Sequence, residues 1–345
     1  MMGCGIAVAL ISCDDDENGY AVSDDAIHIV SNDLIFPAEG TTAVVQVEVA
    51  GTLEATVDAD WCTASVSGHM VTVTAEANYG FDGRTALLTL KSGQASRQLP
   101  VQQLGMVLDM PMVVSGHYSP REGEEFSLTI VHNVPMTATT DQTWLHPVVD
   151  GNTLHVKVDS NVGGHIRRGQ IVCACGEYID TLRVAQFDLR DDVVGSYYMM
   201  GYYGGNGGMA SATRFDIILR HDSLLMHWPQ ERYANAYVHI PIDRSTCTLF
   251  IPSGFTLYRD SRSVVSGYFY DTNGTVATTS GAGAMARLFF VESTGYNSAT
   301  LEAANWSGHT LSGFILRNSS IVTTTLIQLG SPVLIRVGPV GTELE

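Results

Sequence analysis

Apolar and polar residues alternate in short runs along this chain. Residues 43–49 read AVVQVEV, 70–75 read MVTVTA and 84–90 read RTALLTL. Period two puts successive side chains on opposite faces of an extended strand, so each run predicts a strand with one buried face. Turn residues bound the runs: Gly68, Asn78-Tyr79-Gly80 and Lys91-Ser92-Gly93. Residues 98–103, QLPVQQ, close the pattern. No long stretch carries the 3.6-residue apolar spacing of a helix. About seven short strands in roughly 80 residues predict a small β-sandwich of immunoglobulin type. The Cys-Trp-Cys spacing of antibody domains is missing.

The whole pattern recurs 83 positions downstream without a gap. Trp61 maps onto Trp144, Gly68 onto Gly151, Asn78 onto Asn161, Arg84 onto Arg167 and Gln103 onto Gln186. That period suits a small domain rather than a solenoid unit. Trp61 and Trp144 are expected to plug the two cores, and Arg84 and Arg167 to hydrogen-bond at strand starts.

Composition shifts after Phe187. Ten of the 14 Tyr residues, with Trp228 and Trp306, lie in 190–345, which has no Lys. Strands are predicted from Val193-Val194-Gly195-Ser196-Tyr197-Tyr198, from ATRFDIILR at 212–220 and from Thr248-Leu249-Phe250-Ile251-Pro252-Ser253-Gly254. Further strands are expected at 264–270, 286–291, 310–316 and 333–337. Gly204-Gly205-Asn206-Gly207-Gly208 reads as a loose turn and Asp271-Thr272-Asn273-Gly274 as a hairpin turn. About eight antiparallel strands suggest a closed or nearly closed barrel. The predicted fold class is all-β: two tandem immunoglobulin-like sandwiches, then an antiparallel, barrel-like domain.

Net charge is -18 with 18 Lys and Arg, and Lys91 and Lys157 are the only lysines. Nucleic acid is not an expected partner, since its binding rests on neutralising phosphates. The N-terminus holds GIAVALIS at 5–12 and then Cys13. This apolar stretch is too short to span a bilayer. Asp14-Asp15-Asp16-Glu17-Asn18 follows as an acidic tether. Cys173 and Cys175 would share one strand face, where a bridge is geometrically unfavourable. No second ligand pair completes a metal site, so buried thiols are expected for Cys62, Cys173, Cys175 and Cys247.

Four resemblances add to this reading. Asp60-Trp61-Cys62-Thr63, Val71-Thr72-Val73, Ala77-Asn78, Arg84-Thr85-Ala86 and Val101-Gln102-Gln103 resemble the BACON domain of Bacteroidetes secreted proteins. Trp144-Leu145, Leu154-His155-Val156, Ser160-Asn161, Arg167-Arg168-Gly169 and Val184-Ala185-Gln186 carry a weaker second copy. The resemblance implies carbohydrate association but no defined binding residues. Leu10-Ile11-Ser12-Cys13 resembles a lipobox, which implies acylation of Cys13, although Met1-Met2-Gly3-Cys4 lacks the usual cation. The acidic run resembles an export signal to the outer face of the outer membrane; a plain solvated tether is the other reading. The glycine-aromatic strand opening the last region, and Ile251-Pro252-Ser253-Gly254, loosely resemble lipocalin-like (calycin-like) domains of Bacteroidetes lipoproteins. The implied domains are a signal peptide 1–12, lipidated Cys and linker 13–27, sandwiches 28–106 and 107–189, and a barrel-like domain 190–345.

Candidate ligand contacts are Tyr198, Tyr202, Tyr203, Trp228, Tyr233, Tyr237 and Trp306, since Tyr and Trp pair flat apolar area with a polar tip. The other reading is that such aromatics fill the barrel. Trp228-Pro229 and Tyr233-Ala234-Asn235 lie in a turn-rich stretch, which makes Trp228 and Tyr233 the expected exposed pair. No nucleophile elbow, metalloprotease motif or phosphate loop is present, and no carboxylate pair stands out as a glycosidase would need. Asp222-Ser223-Leu224 matches a short O-glycosylation acceptor pattern. The expectation is a monomeric, non-enzymatic lipoprotein without cofactor or metal. It binds glycan at the cell surface, with the sandwiches as spacers and the last domain as binder. A surface protein binding a host protein, and a carrier of a small hydrophobic ligand, are the alternatives.

Overall fold

A computed structural model describes residues 27–110, 115–203, 209–320 and 322–343. Cys13, the acidic run after it and the glycine-rich turn at 204–208 lie outside the described residues. The described chain is almost entirely strand, as the alternation predicts, and divides into two compact units, Met1–Val107 and Leu108–Glu345. Among the described residues no helix is long and apolar enough to cross a membrane.

The first unit is a sandwich of two four-stranded sheets. One is ordered His28–Ser31, Thr41–Glu48, Met70–Ala75, Cys62–Ser67; the other Ile35–Phe36, Ala95–Gln103, Arg84–Ser92, Glu54–Val57. The alternation settles which face is buried. Val45, Val47, Val71 and Val73 from one sheet meet Leu88, Leu90 and Val101 from the other, all fully buried. Ile35–Phe36 enters parallel to Ala95–Gln103, beside Gln102 and Gln103. The module has eight strands, one more than expected.

The second unit opens with a related arrangement: a four-stranded sheet ordered His117–Ser119, Tyr178–Gln186, Arg167–Cys175, Thr137–Thr139, and a three-stranded sheet ordered Glu124–Thr129, Thr153–Val158, Leu145–Asp150. His117–Ser119 again runs parallel to the closing strand, Tyr178–Gln186, beside Val184, Ala185 and Gln186. Gly40 and Gly123 show why the two copies share their glycines. Their φ values are +79° and +81°, and a Cβ on either would collide with a backbone carbonyl, of Ala75 or of Val158. Only glycine meets both demands.

The rest of this unit is one thirteen-stranded antiparallel sheet. It curls as a half-barrel and its edge strands do not pair with one another: these edges are Tyr237–His239, Ile242–Asp243, Phe255–Arg259 and Phe289–Val291. Of the two expected forms, closed or nearly closed, full closure does not occur; the sheet is a half-barrel. The cause is the 15-residue strand Thr324–Gly338, which changes partner along one side. Its residues 333–336 pair with Tyr296–Ala304, and 324–330 with Leu311–Ser319. The sheet forks there into two arms that close over a shared core. Tyr197, Phe215, Trp228, Phe255, Phe314 and Phe269 fill that core, with successive ring centroids 5.3–6.1 Å apart.

The second module is built into this core. Tyr118, Ile166, Ala185 and Phe187 pack with it. Arg121 pairs with Asp191 at 2.8 Å and with buried Asp192 at 3.1 Å. Asn297 donates to the Asp192 carbonyl at 3.0 Å, and His165 stacks on Phe290 with centroids 3.5 Å apart.

Candidate functional site

Each sandwich keeps one polar device. Arg84 lies over the Trp61 ring at 4.5 Å, and Arg167 over Trp144 at 4.3 Å. Arg84 Nε donates to Gln103 Oε1 at 2.8 Å, and Arg167 Nε to Gln186 Oε1 at 2.6 Å. Gln103 Nε2 donates to the carbonyls of Glu76 and Pro37, and Gln186 Nε2 to those of Asp159 and Pro120. Guanidinium, indole and buried amide thus close each module. These contacts give the residues a structural role in each module.

An open groove of about 1010 Å³ lies in the second unit, on the outer face of the forked sheet. Three strands form its floor. In Thr248–Pro252, Leu249 and Ile251 turn into the core, so Phe250 turns out. In Gly283–Arg287, Ala284 and Ala286 turn in, leaving Met285 and Arg287 outward. In Tyr296–Ala304, Ala299 and Leu301 turn in and Thr300 and Glu302 out. Register sets Phe250 beside Met285, Met285 beside Glu302 and Thr248 beside Arg287. Gly283 gives the Phe250 ring its seat: a Cβ there would stand 2.9 Å from Phe250 Cζ. Met285 and Phe289 are 42% and 40% exposed.

A smaller hollow of about 290 Å³ adjoins it. Both are lined by Arg183, Thr246 and Arg287. Arg183 comes from the closing strand of the second sandwich, so both parts of this unit build the site. Arg168 fixes their relation. Its Nε and Nη2 donate to the Thr246 carbonyl at 3.0 and 2.8 Å, and its Nη2 also to that of Leu288. Burial lowers the Arg168 pKa, and the charge of Arg287 adds to that shift. Asp243 is occupied within its own turn, accepting from Ser245 N and Oγ and from Thr246 Oγ1 at 2.7–3.0 Å.

None of the seven sequence-predicted aromatics lines this groove. Trp228 is 1% exposed, which corrects the expectation of an exposed Trp228. It continues the inward face of Ser223–His227, after Leu224 and Met226, and its Nε1 donates to Thr213 Oγ1. Its expected partner Tyr233 is half-buried against the same core, beneath Arg232. Tyr198 and Tyr202 lie on the outer face of Gly195–Tyr203, with Tyr202 62% exposed. Tyr203 ends that strand, its backbone paired with Met209. Tyr237 stacks on His227, and its hydroxyl accepts from Arg220 at 2.9 Å. Trp306 stacks on His309, whose Nδ1 lies 2.6 Å from Asp271 Oδ2. These aromatics are dispersed rather than convergent. One sign of the groove was present in the sequence: 248–252, TLFIP, is apolar at both parities, so one face must carry an outward aromatic.

Cys62, Cys173, Cys175 and Cys247 are buried thiols. Burial pushes Cys173 up to about 11 and Cys247 up to about 12. Among the described residues no group of three or more His, Cys, Asp or Glu is placed to hold a metal ion.

Residues 51–104 match the BACON family, described as "Putative binding domain, N-terminal". The match falls within the first sandwich. No curated protein matches the chain. Similar solved structures include the I9–I11 tandem of titin, at 9% identity and a TM-score of 0.31, covering 87% of this chain and 97% of that one. An endo-fucoidan hydrolase from glycoside hydrolase family 107 is 11% identical with a TM-score of 0.27. That likeness spans 48% of this chain and only 29% of the hydrolase.

Proposed function

We propose that this chain is a non-enzymatic surface lipoprotein of Bacteroidetes type that binds glycan in the groove beside Phe250 and Phe289. The observation that carries the reading is the groove itself. It combines an apolar floor with convergent polar groups at its rim, the usual make-up of a ligand site. Aromatic rings suit the apolar faces of pyranoses, and Arg183, Arg287, Thr300 and Glu302 offer donors and acceptors to hydroxyl groups. The match of the first sandwich to a binding-domain family agrees with this role. In this reading Cys13 carries the lipid anchor and the first sandwich acts as spacer. The second contributes Arg183, so binding belongs to the second unit as a whole.

A glycan-array screen of the purified full chain tests this, with Phe289→Ala as the paired variant. Loss of one stacking ring, worth roughly 0.5–1.5 kcal/mol, should weaken a captured glycan up to about tenfold. Binding that Phe289→Ala leaves intact would move the site elsewhere. A folded protein that captures no glycan would reject the reading.

A further inference from the structure

The groove's polar end is opposite in charge to the chain around it. The chain carries a net charge of -18. Yet Arg168, Arg183 and Arg287 line one small hollow, with Asp141 the one acid among its lining residues. The Asp141 carboxylate accepts from Gln142 Nε2 at 2.9 Å. Arg168 is committed to the Thr246 and Leu288 carbonyls, but those neutral partners leave its charge uncancelled. Arg183 and Arg287 are exposed, and among the described residues their guanidinium groups make no hydrogen bond or ion pair. Two arginines of the same unit do pair with acids, Arg121 with Asp191 and Asp192 and Arg214 with Glu343, so ion pairing is within reach where an acid is placed for it. The acids near the hollow's three arginines, Asp141 in the hollow and Asp243 and Glu302 in the adjoining groove, form no ion pair with them among the described residues. Three like charges around one concavity repel.

An anion would cancel them. A guanidinium presents a planar fork that matches a carboxylate or sulfate with two parallel hydrogen bonds. The hollow continues past Arg183 and Arg287 onto the apolar floor, so one occupant can span both.

We infer that the groove selects an acidic glycan, whose carboxylate or sulfate lies between Arg183 and Arg287 while a sugar ring lies toward Phe250 and Phe289. This rests on the glycan-binding reading above and narrows its ligand to one charge class.

The test is titration calorimetry on the full chain with two matched probe pairs. One is hexagalacturonate against its methyl ester; the other is dextran sulfate against dextran. A poly-glutamate control is run beside them. The acidic member of at least one pair should bind at least tenfold tighter than its neutral match. The responding pair identifies carboxylate or sulfate as the group read. Arg183→Gln with Arg287→Gln should abolish that preference. Both side chains are exposed, so circular dichroism should show the fold unchanged. Arg183→Lys with Arg287→Lys should retain charge attraction but lose most of the bidentate gain.

Equal binding within both pairs overturns the inference, as does a preference that survives the double Gln variant. Neutral glycans bound on the array, without acidic preference, would overturn it while leaving the glycan reading standing. No glycan bound at all would remove both. Poly-glutamate bound more tightly than any glycan would overturn it in favour of an acidic protein partner.

Discussion

Replacing Gln103 by Met should destabilise the first unit, and Gln186→Met should destabilise the second by a similar amount. Met keeps the volume and removes every polar atom. In Gln103→Met the carbonyls of Glu76 and Pro37 lose donors at 2.7 and 3.1 Å, and Arg84 Nε loses its acceptor at 2.8 Å. Two neutral bonds at about 1 kcal/mol each and one charge-assisted bond at roughly 2 sum to about 4 kcal/mol. Arg84 is half-exposed, and water reaching it recovers part, which leaves about 3 kcal/mol. Gln186→Met removes bonds at 2.8 and 3.0 Å to Pro120 and Asp159 and one at 2.6 Å from Arg167. With a urea m-value of about 2 kcal/mol/M, each variant should lower its own unit's midpoint by about 1.5 M. Urea unfolding read by hydrogen-exchange mass spectrometry separates the units. Peptides from 27–107 should lose protection early in Gln103→Met only, and peptides from 115–187 in Gln186→Met only. Midpoint shifts under about 0.5 M in both variants would refute the claim that this amide holds each sandwich closed.

Further outcomes follow from single sites. The Asp271 carboxyl is held below the usual carboxylate range, first by its hydrogen bond with His309 and then by the N–H groups of Thr275 and Asn273. Its folded pKa is depressed, so the associated stability is present above the unfolded value near pH ~4 and is lost as pH falls through the folded value. Acid unfolding of Asp271→Asn should therefore show a shallower pH dependence below about pH 4 than the parent, and an unchanged slope would contradict the assignment. Cys173 and Cys247, raised to about 11 and about 12 by burial, should resist a thiol-reactive disulfide reagent at about pH 8 and react once urea unfolds the chain, because the thiolate is the nucleophile. Rapid native labelling of either would show that the core opens there.

Much of the architecture was legible because its causes are local. Alternating residues specify which face of a strand is buried. An 83-residue repeat without gaps carries whole constellations from one copy to the next, so Trp61, Arg84 and Gln103 predict the geometry of Trp144, Arg167 and Gln186. Trp228 was misjudged although its cue was local too. Pro229 suggested an exposed turn, while the period-two series Leu224, Met226, Trp228 pointed inward, and burial of a large aromatic outweighed the turn.

Strand class and the inward face of each strand are legible in the chain, since they depend on alternation within one short segment, and the 83-residue spacing carries the Arg–Gln contacts of one copy to the other. Tertiary structure alone decided that the last sheet forks instead of closing, because one long strand exchanges partners midway along its edge. It also decided the groove. Arg183, Phe250, Arg287 and Glu302 come from four strands scattered over some 120 residues, and only cross-strand register and the docking of the second sandwich bring them to one surface. No periodicity within a single strand encodes that meeting, because each strand's own pattern says only which side faces the core.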